Sequence, residues 1–334
     1  MTATPRIRRT AGFVAAAAAV LALAACSSGA SDAPAADGEL TTLKVATIGL
    51  ISDGSLVLGQ QKGFFEDEGL KIETSVVANP PAGLAAAQSG QVDIAYAPSI
   101  PLLNALASGV PLQVVAAADG YIDGAATLDD PAEVDDTGLY AAADSGITEV
   151  ADLEGATIAV PARKAQLEVV IADALERSGV AADSVNWVVL DFTSAVAALK
   201  SGTVDAAGLV SPFTTEAETA GAIFVDAPSV GFFEEGAVGL WTAGENTVSG
   251  KADAIAAFQR AVAKSNAYAN ENPEEAIQAG IDYTSSNLSV DEIKLPFWPT
   301  EVASIDLDRV NEKLVSLGFL PEPVDLEGVI VSAE

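Results

Sequence analysis

Ser89-Gly90-Gln91-Val92-Asp93-Ile94-Ala95 and Ser201-Gly202-Thr203-Val204-Asp205-Ala206-Ala207 share the pattern S-G-x-V-D-x-A, 112 positions apart. A short apolar run of helical character precedes each, Leu84 to Ala87 and Val196 to Leu199. Each is followed by a strand pattern and then a serine, Ser99 or Ser211. At the same offset Val45-Ala46-Thr47 aligns with Thr157-Ile158-Ala159. Helix, tight turn, strand and serine loop, written twice, predict two similar α/β lobes. One centres on Leu43 to Ala118 and the other on Thr157 to Asp226.

Working outward, the first copy begins with a buried strand at Leu43 to Gly49 and a helix from Gly54 to Glu68, closed by Gly69. Strands follow at Lys71 to Val77, Val92 to Ala97 and Leu112 to Ala118, with helices at Gly83 to Ser89 and Ile100 to Ser108. This alternation predicts mostly parallel sheets with helices on both faces. Past the second copy, Gly231 to Ala243 reads as a returning strand. Ala252 to Asn272, Glu274 to Tyr283 and Leu307 to Leu317 read as helices. The tail is expected to rejoin the first lobe, which makes lobe 1 discontinuous, 43–125 with 227–334, around a second lobe at 126–226.

The N-terminus bears on compartment. Arg6, Arg8 and Arg9 precede an uncharged apolar run, Ala11 to Ala25, too short for a stable membrane span and laid out like a secretory signal. Leu23-Ala24-Ala25-Cys26 resembles the lipobox of bacterial lipoproteins. That resemblance implies a signal peptide at 1–25 and a diacylated Cys26, two chains sufficing for durable anchoring. Residues 26–42 are poor in large apolar side chains and are expected to form a flexible tether.

Removing the three signal arginines leaves 13 basic against 47 acidic residues, a net charge of −34. So acidic a chain disfavours nucleic acid as a partner and electrostatic attachment to anionic lipid. There is no histidine, and the single cysteine is committed to lipid. Histidine-dependent nucleophile systems and thiolate zinc sites are thereby excluded. No Walker loop or G-x-G-x-x-G is present. The expectation is a protein that is not an enzyme and needs neither cofactor nor metal. Carboxylate or Ser-Lys chemistry has no local signature here.

Several stretches carry a wider likeness. They include Gln61-Lys62-Gly63-Phe64-Phe65-Glu66-Asp67-Glu68-Gly69-Leu70, Ser89 to Asp93, Leu103 to Val115, Asp152 to Val160, Leu175 to Val180 and the Gly202-Thr203-Val204-Asp205 turn. In this order they resemble the solute-binding proteins of nitrate, sulfonate, taurine and thiamine-pyrimidine-precursor importers. The resemblance implies a type II periplasmic-binding-protein-like fold, with two α/β lobes around a ligand cleft. It implies an extracytoplasmic subunit, lipid-anchored to the outer face of the cell membrane. That subunit would act as a monomer, delivering a small ligand to an ABC permease and ATPase. Pyrimidine-precursor synthases in the same family depend on histidine and cysteine, and this chain has no histidine and, with Cys26 committed to lipid, no available cysteine. A tethered sensor built on the same clamp stays open as an alternative.

Ligands of parallel α/β sheets bind beyond the carboxyl ends of the strands, where helix starts present free N–H groups. That rule gathers the loops holding Ser52, Asp53, Ser99, Arg163, Lys164, Phe192, Thr193, Ser211 and Phe213. Ser99 and Ser211 form the natural pair, one per lobe. Arg163 and Lys164 stand together before a helix start, a placement that suits a bound anion such as sulfonate, nitrate or bicarbonate. Tyr121, Phe192 and Phe213 offer the alternative, a sandwich around a flat neutral ring such as a pyrimidine.

Overall fold

Residues 40–332 are described by a computed structural model. The signal and lipid-attachment residues, and the tether up to 39, lie outside the described residues. Strands run in chain order as β1 (Thr41–Thr47), β2 (Leu70–Val76), β3 (Ile94–Pro98), β4 (Leu112–Tyr121) and β5 (Thr137–Ala141). They continue as β6 (Thr157–Val160), β7 (Asn186–Val189), β8 (Ala206–Val210), β9 (Ile223–Asp226) and β10 (Gly236–Gly244). Two five-stranded sheets result, ordered β2-β1-β3-β10-β4 and β7-β6-β8-β5-β9. Each has a parallel half and one antiparallel strand let in beside its third, β10 in the first and β5 in the second. The predicted two-lobe α/β architecture is therefore present, with the same strand order in both halves.

The repeated turn explains itself in backbone terms. Gly90 and Gly202 sit at φ +73° and +66°, the left-handed region that lets a helix stop in one residue. The following aspartate then pins the first strand of its own sheet. Asp93 Oδ2 accepts from the Lys44 amide at 2.9 Å, and Asp205 Oδ2 accepts from the Thr157 amide at 2.7 Å. The equivalence carries one correction. Ile94 faces Val45 while Ala206 faces Ile158, so the first strands match at an offset of 113, not 112. A one-residue slip exchanges the two faces of a strand, so the tertiary pairing overrides the sequence alignment.

Other boundaries move for physical reasons. Thr41 and Thr42, counted with the tether, pair with Leu70 and Lys71 and start β1. The helix expected over Gly54 to Glu68 is two, Gly54–Gln61 and Phe64–Asp67, because Gly63 turns left-handed at φ +78°. Gly231 to Phe233, read as the start of a strand, close the helix Pro228–Phe233, which its proline opens, and β10 begins only at Gly236. That helix packs on the Gln166–Arg177 helix and β5. The strand Thr137–Ala141 went unrecognised, five buried residues with no polar alternation to mark them.

The first sheet's core gathers Leu43, Phe65, Ile94, Trp241, Phe258 and Val262. Each such side chain contributes about 1.5–3 kcal/mol through burial. A separate cluster closes the helices at its edge around Trp298, which is fully buried. There the Gly54–Gln61 and Pro273–Thr284 helices meet backbone to backbone. A Cβ on Gly54 would lie 2.0 Å from the Ala276 carbonyl oxygen, so only glycine permits the approach. This contact fixes the loop before Gly54, which carries Ser52.

Candidate functional site

Between the carboxyl end of β3, the outer turn of β4 and the start of β5 lies a cleft walled by both sheets. It holds about 950 Å³ of empty space, its open mouth included. Ile48, Leu50, Ser52, Tyr96, Pro98, Asp119 and Tyr121 line the side of the first sheet. Asp136, Thr137, Pro161, Ala162, Phe192 and Val210 line the other, and Pro296 and Phe297 close the rim. The rim is held by backbone, the Gly120 amide donating to the Phe297 carbonyl at 3.0 Å. Among the described residues lining this cleft, none is a lysine or arginine.

Its polar side chains are carboxylates, hydroxyls and the carboxamides of Asn79 and Gln166. Asp119 ends an apolar strand and accepts from Ser52 Oγ at 2.7 Å and from the Tyr96 hydroxyl at 3.1 Å. Burial raises its carboxyl above the usual range, against the pull of those donors. Asp136 lies on the facing wall. Burial, then the charges of Asp119 and Asp135, push its carboxyl up to about 8. Among the described residues no other residue donates a hydrogen bond to it. Its neighbour Asp135 is saturated, accepting from Tyr121, from the Thr137 amide and hydroxyl, and from the Val230 amide.

The ten residues expected at the site divide. Ser52, Tyr121 and Phe192 line the cleft. Asp53 is buried and turns back to accept from the Leu50 amide at 2.9 Å, its carboxyl lifted to about 7 by burial. Phe213 stacks behind Phe192 with centroids 5.1 Å apart and planes at 22°. That spacing leaves no room for a ring between the two, so Phe192 offers the cleft its outer side alone. Thr193 is exposed beside it. Ser99 and Ser211 stand one residue behind the lining positions Pro98 and Val210. Their hydroxyls are the buried side-chain groups without a hydrogen-bond partner among the described residues. Neither serves as a helix cap.

Arg163 and Lys164 do not line the cleft. Arg163 grips Glu168 in a two-point pair, Nε to Oε2 at 2.7 Å and Nη2 to Oε1 at 2.9 Å. The Lys164 amide joins the same carboxylate at 2.6 Å, and its carbonyl accepts from Asn104 at 2.7 Å. Glu168, in the first turn of the Gln166–Arg177 helix, thus answers the Arg163 guanidinium and the Lys164 backbone amide at the helix start. Sequence reasoning missed Tyr96, Asp119 and Asp136. A signal was present: Asp119 interrupts Val114-Val115-Ala116-Ala117-Ala118, and a charge inside so apolar a strand needs a reason.

Comparison with known proteins agrees with this architecture. A family model described as NMT1/THI5 like matches residues 54–276, more than half of the chain. Binding proteins of Brucella abortus, among others, are 26% identical over 241 residues, 71% of this chain and 68% of theirs. The alkanesulfonate-binding protein of Xanthomonas axonopodis pv. citri, solved with MOPS, superposes with a TM-score of 0.69 at 16% identity. The match covers 88% of this chain and 99% of that one. The periplasmic nitrate-binding protein of Synechocystis PCC 6803 gives 0.68 at 14% identity over 85% of this chain and 83% of that one. At such identities the likeness is one of fold, and the fold is that of periplasmic binding proteins.

Proposed function

Since this chain belongs to the NMT1/THI5-like family, we propose that it is the extracytoplasmic solute-binding subunit of an ABC importer. One observation carries the reading: two sheets of equal strand order each contribute a wall to a single cleft at their strand ends. Such a cleft can close on a small molecule when the two walls rotate together. The lobes in this reading are residues 40–121 with 236–332, and 137–233, joined by the two short crossings between them. Chemistry by this chain is disfavoured, because the residues lining the cleft offer carboxylates, hydroxyls and carboxamides with no histidine, thiol or lysine among them. The protein works as a monomer, anchored at Cys26 and docking on a permease and its ATPase.

The ligand class turns on the lining. An anion would need a cationic side chain or several free amides; Arg163 is paired with Glu168, and neither it nor Lys164 lines the cleft. The aromatic walls, Tyr96, Tyr121, Phe192 and Phe297, support the other reading, a flat ring. Native mass spectrometry of the mature protein tests the role, followed by a thermal-shift screen of sulfonates, nitrate, bicarbonate and pyrimidines. A ligand at a hundred times its Kd should add about 2.7 kcal/mol. Small-angle scattering with that ligand should show compaction, and an unchanged radius at saturation counts against a closing clamp. For the anchor, Cys26→Ser should move the protein from the membrane fraction to the medium. Retention through an alkaline carbonate wash would refute lipid attachment.

A further inference from the structure

Asp119 and Asp136 face one cleft from opposite sheets, and they differ in what holds them. Asp119 has its donors, Ser52 and Tyr96. Asp136 has no donor from another residue and no ion pair among the described residues, although it stands beside Asp119 and Asp135. A carboxyl enclosed with two others of like charge is unfavourable unless something positive shares the space. Lys294 is the cation whose field reaches Asp136, but its ammonium rests over the Phe224 ring, 5.4 Å from the centroid. The remaining wall is mostly apolar or aromatic, with the carboxamides of Asn79 and Gln166 as its other polar groups besides hydroxyls, and the unpartnered hydroxyls of Ser99 and Ser211 lie just behind it.

Resting on the solute-binding reading above, we propose that the cleft takes a cation, a flat apolar body carrying an ammonium or amidinium group that Asp136 grips across from Asp119. Charge-assisted hydrogen bonds to a carboxylate are about twice as strong as neutral ones, and the aromatic faces favour the same charge. The chain as a whole, at net −31, concentrates cations at its surface and steers them inward. The two sheets would close around the ligand with one carboxylate on each side, which turns a repulsion between the walls into a bridge.

Benzamidine, benzamide and benzoate share one flat shape and carry +, 0 and − charge. Purified mature protein should be titrated with each, by thermal shift and calorimetry, beside Asp136→Asn. Benzamidine should bind in preference to benzamide, and benzoate least. Asp136→Asn should weaken benzamidine about tenfold or more and leave benzamide unchanged. Benzoate binding as well as benzamidine overturns the proposal, and so does benzamidine binding that ignores the substitution or is absent. The two readings separate by scattering. Compaction with benzoate or benzamide in such a case leaves the solute-binding role standing, whereas silence from all three probes counts against both.

Discussion

In the first half of the molecule Asp93 holds the amide of Lys44; in the second, Asp205 holds that of Thr157. The turns are twins. The walls that rise above them are not, because Asp119 stands in a completed set of hydrogen bonds while Asp136 stands in none supplied by another residue. Repetition thus governs the frame, where backbone groups must be satisfied whatever the ligand. Divergence is confined to the cleft, where one half presents a finished surface and the other a carboxyl without a partner. A repeated scaffold with unequal walls is a means of reading an asymmetric molecule.

The sharpest way to break this contrast is to truncate both carboxylates. Asp119→Ala should cost ~2–3 kcal/mol in urea unfolding, since it strands the buried Ser52 and Tyr96 donors. Asp136→Ala should cost nothing measurable. Equal losses would mean that the two walls are built alike. Next comes the frame. Asp205→Ala should cost about 1–2 kcal/mol. Asp93→Ala should cost about half as much, because its bond to Lys44 lies in solvent. A loss on one side alone would end the claim that the turns are equivalent.

A smaller effect follows from titration. The folded-state pKa of Asp136 is raised from 3.8 to about 8, so the folded protein holds a proton there that the unfolded chain releases. This contribution to stability is complete below about pH 4 and is lost as pH rises towards 8. Asp136→Asn should flatten the pH profile in that window and raise stability at pH 8 relative to the parent protein. An unchanged slope would remove Asp136 from the low-dielectric wall. Smallest of all, Arg163→Ala should cost ~0.5 kcal/mol through the half-exposed pair with Glu168 and leave ligand affinity alone. Any loss of affinity would return Arg163 to the site.

Much of the frame was legible because it rests on local backbone chemistry. The left-handed glycine of each turn, the aspartate after it and the alternation of strand with helix are short-range features, and they repeat. The helix break at Gly63 and the slip at β1 were not legible. Both depend on how a neighbouring element packs, and an alanine-rich strand aligns equally well one residue either way.

The candidate site divides along the same line. Composition and order sufficed for the architecture and the fold, and two of the residues they singled out, Ser52 and Phe192, line the cleft. They could not say which charges face it. Arg163 and Lys164 stand out in a chain poor in cations, yet Glu168 holds the Arg163 guanidinium and the Lys164 backbone amide, and neither residue lines the cleft. Asp119 and Asp136 are two acids among 47, distinguished by position alone. What a sequence determines is the pattern that buries backbone and apolar surface, since those terms add up residue by residue. Which side chain confronts a ligand is set by pairing between distant segments, and that is decided only when the two sheets stand opposite one another.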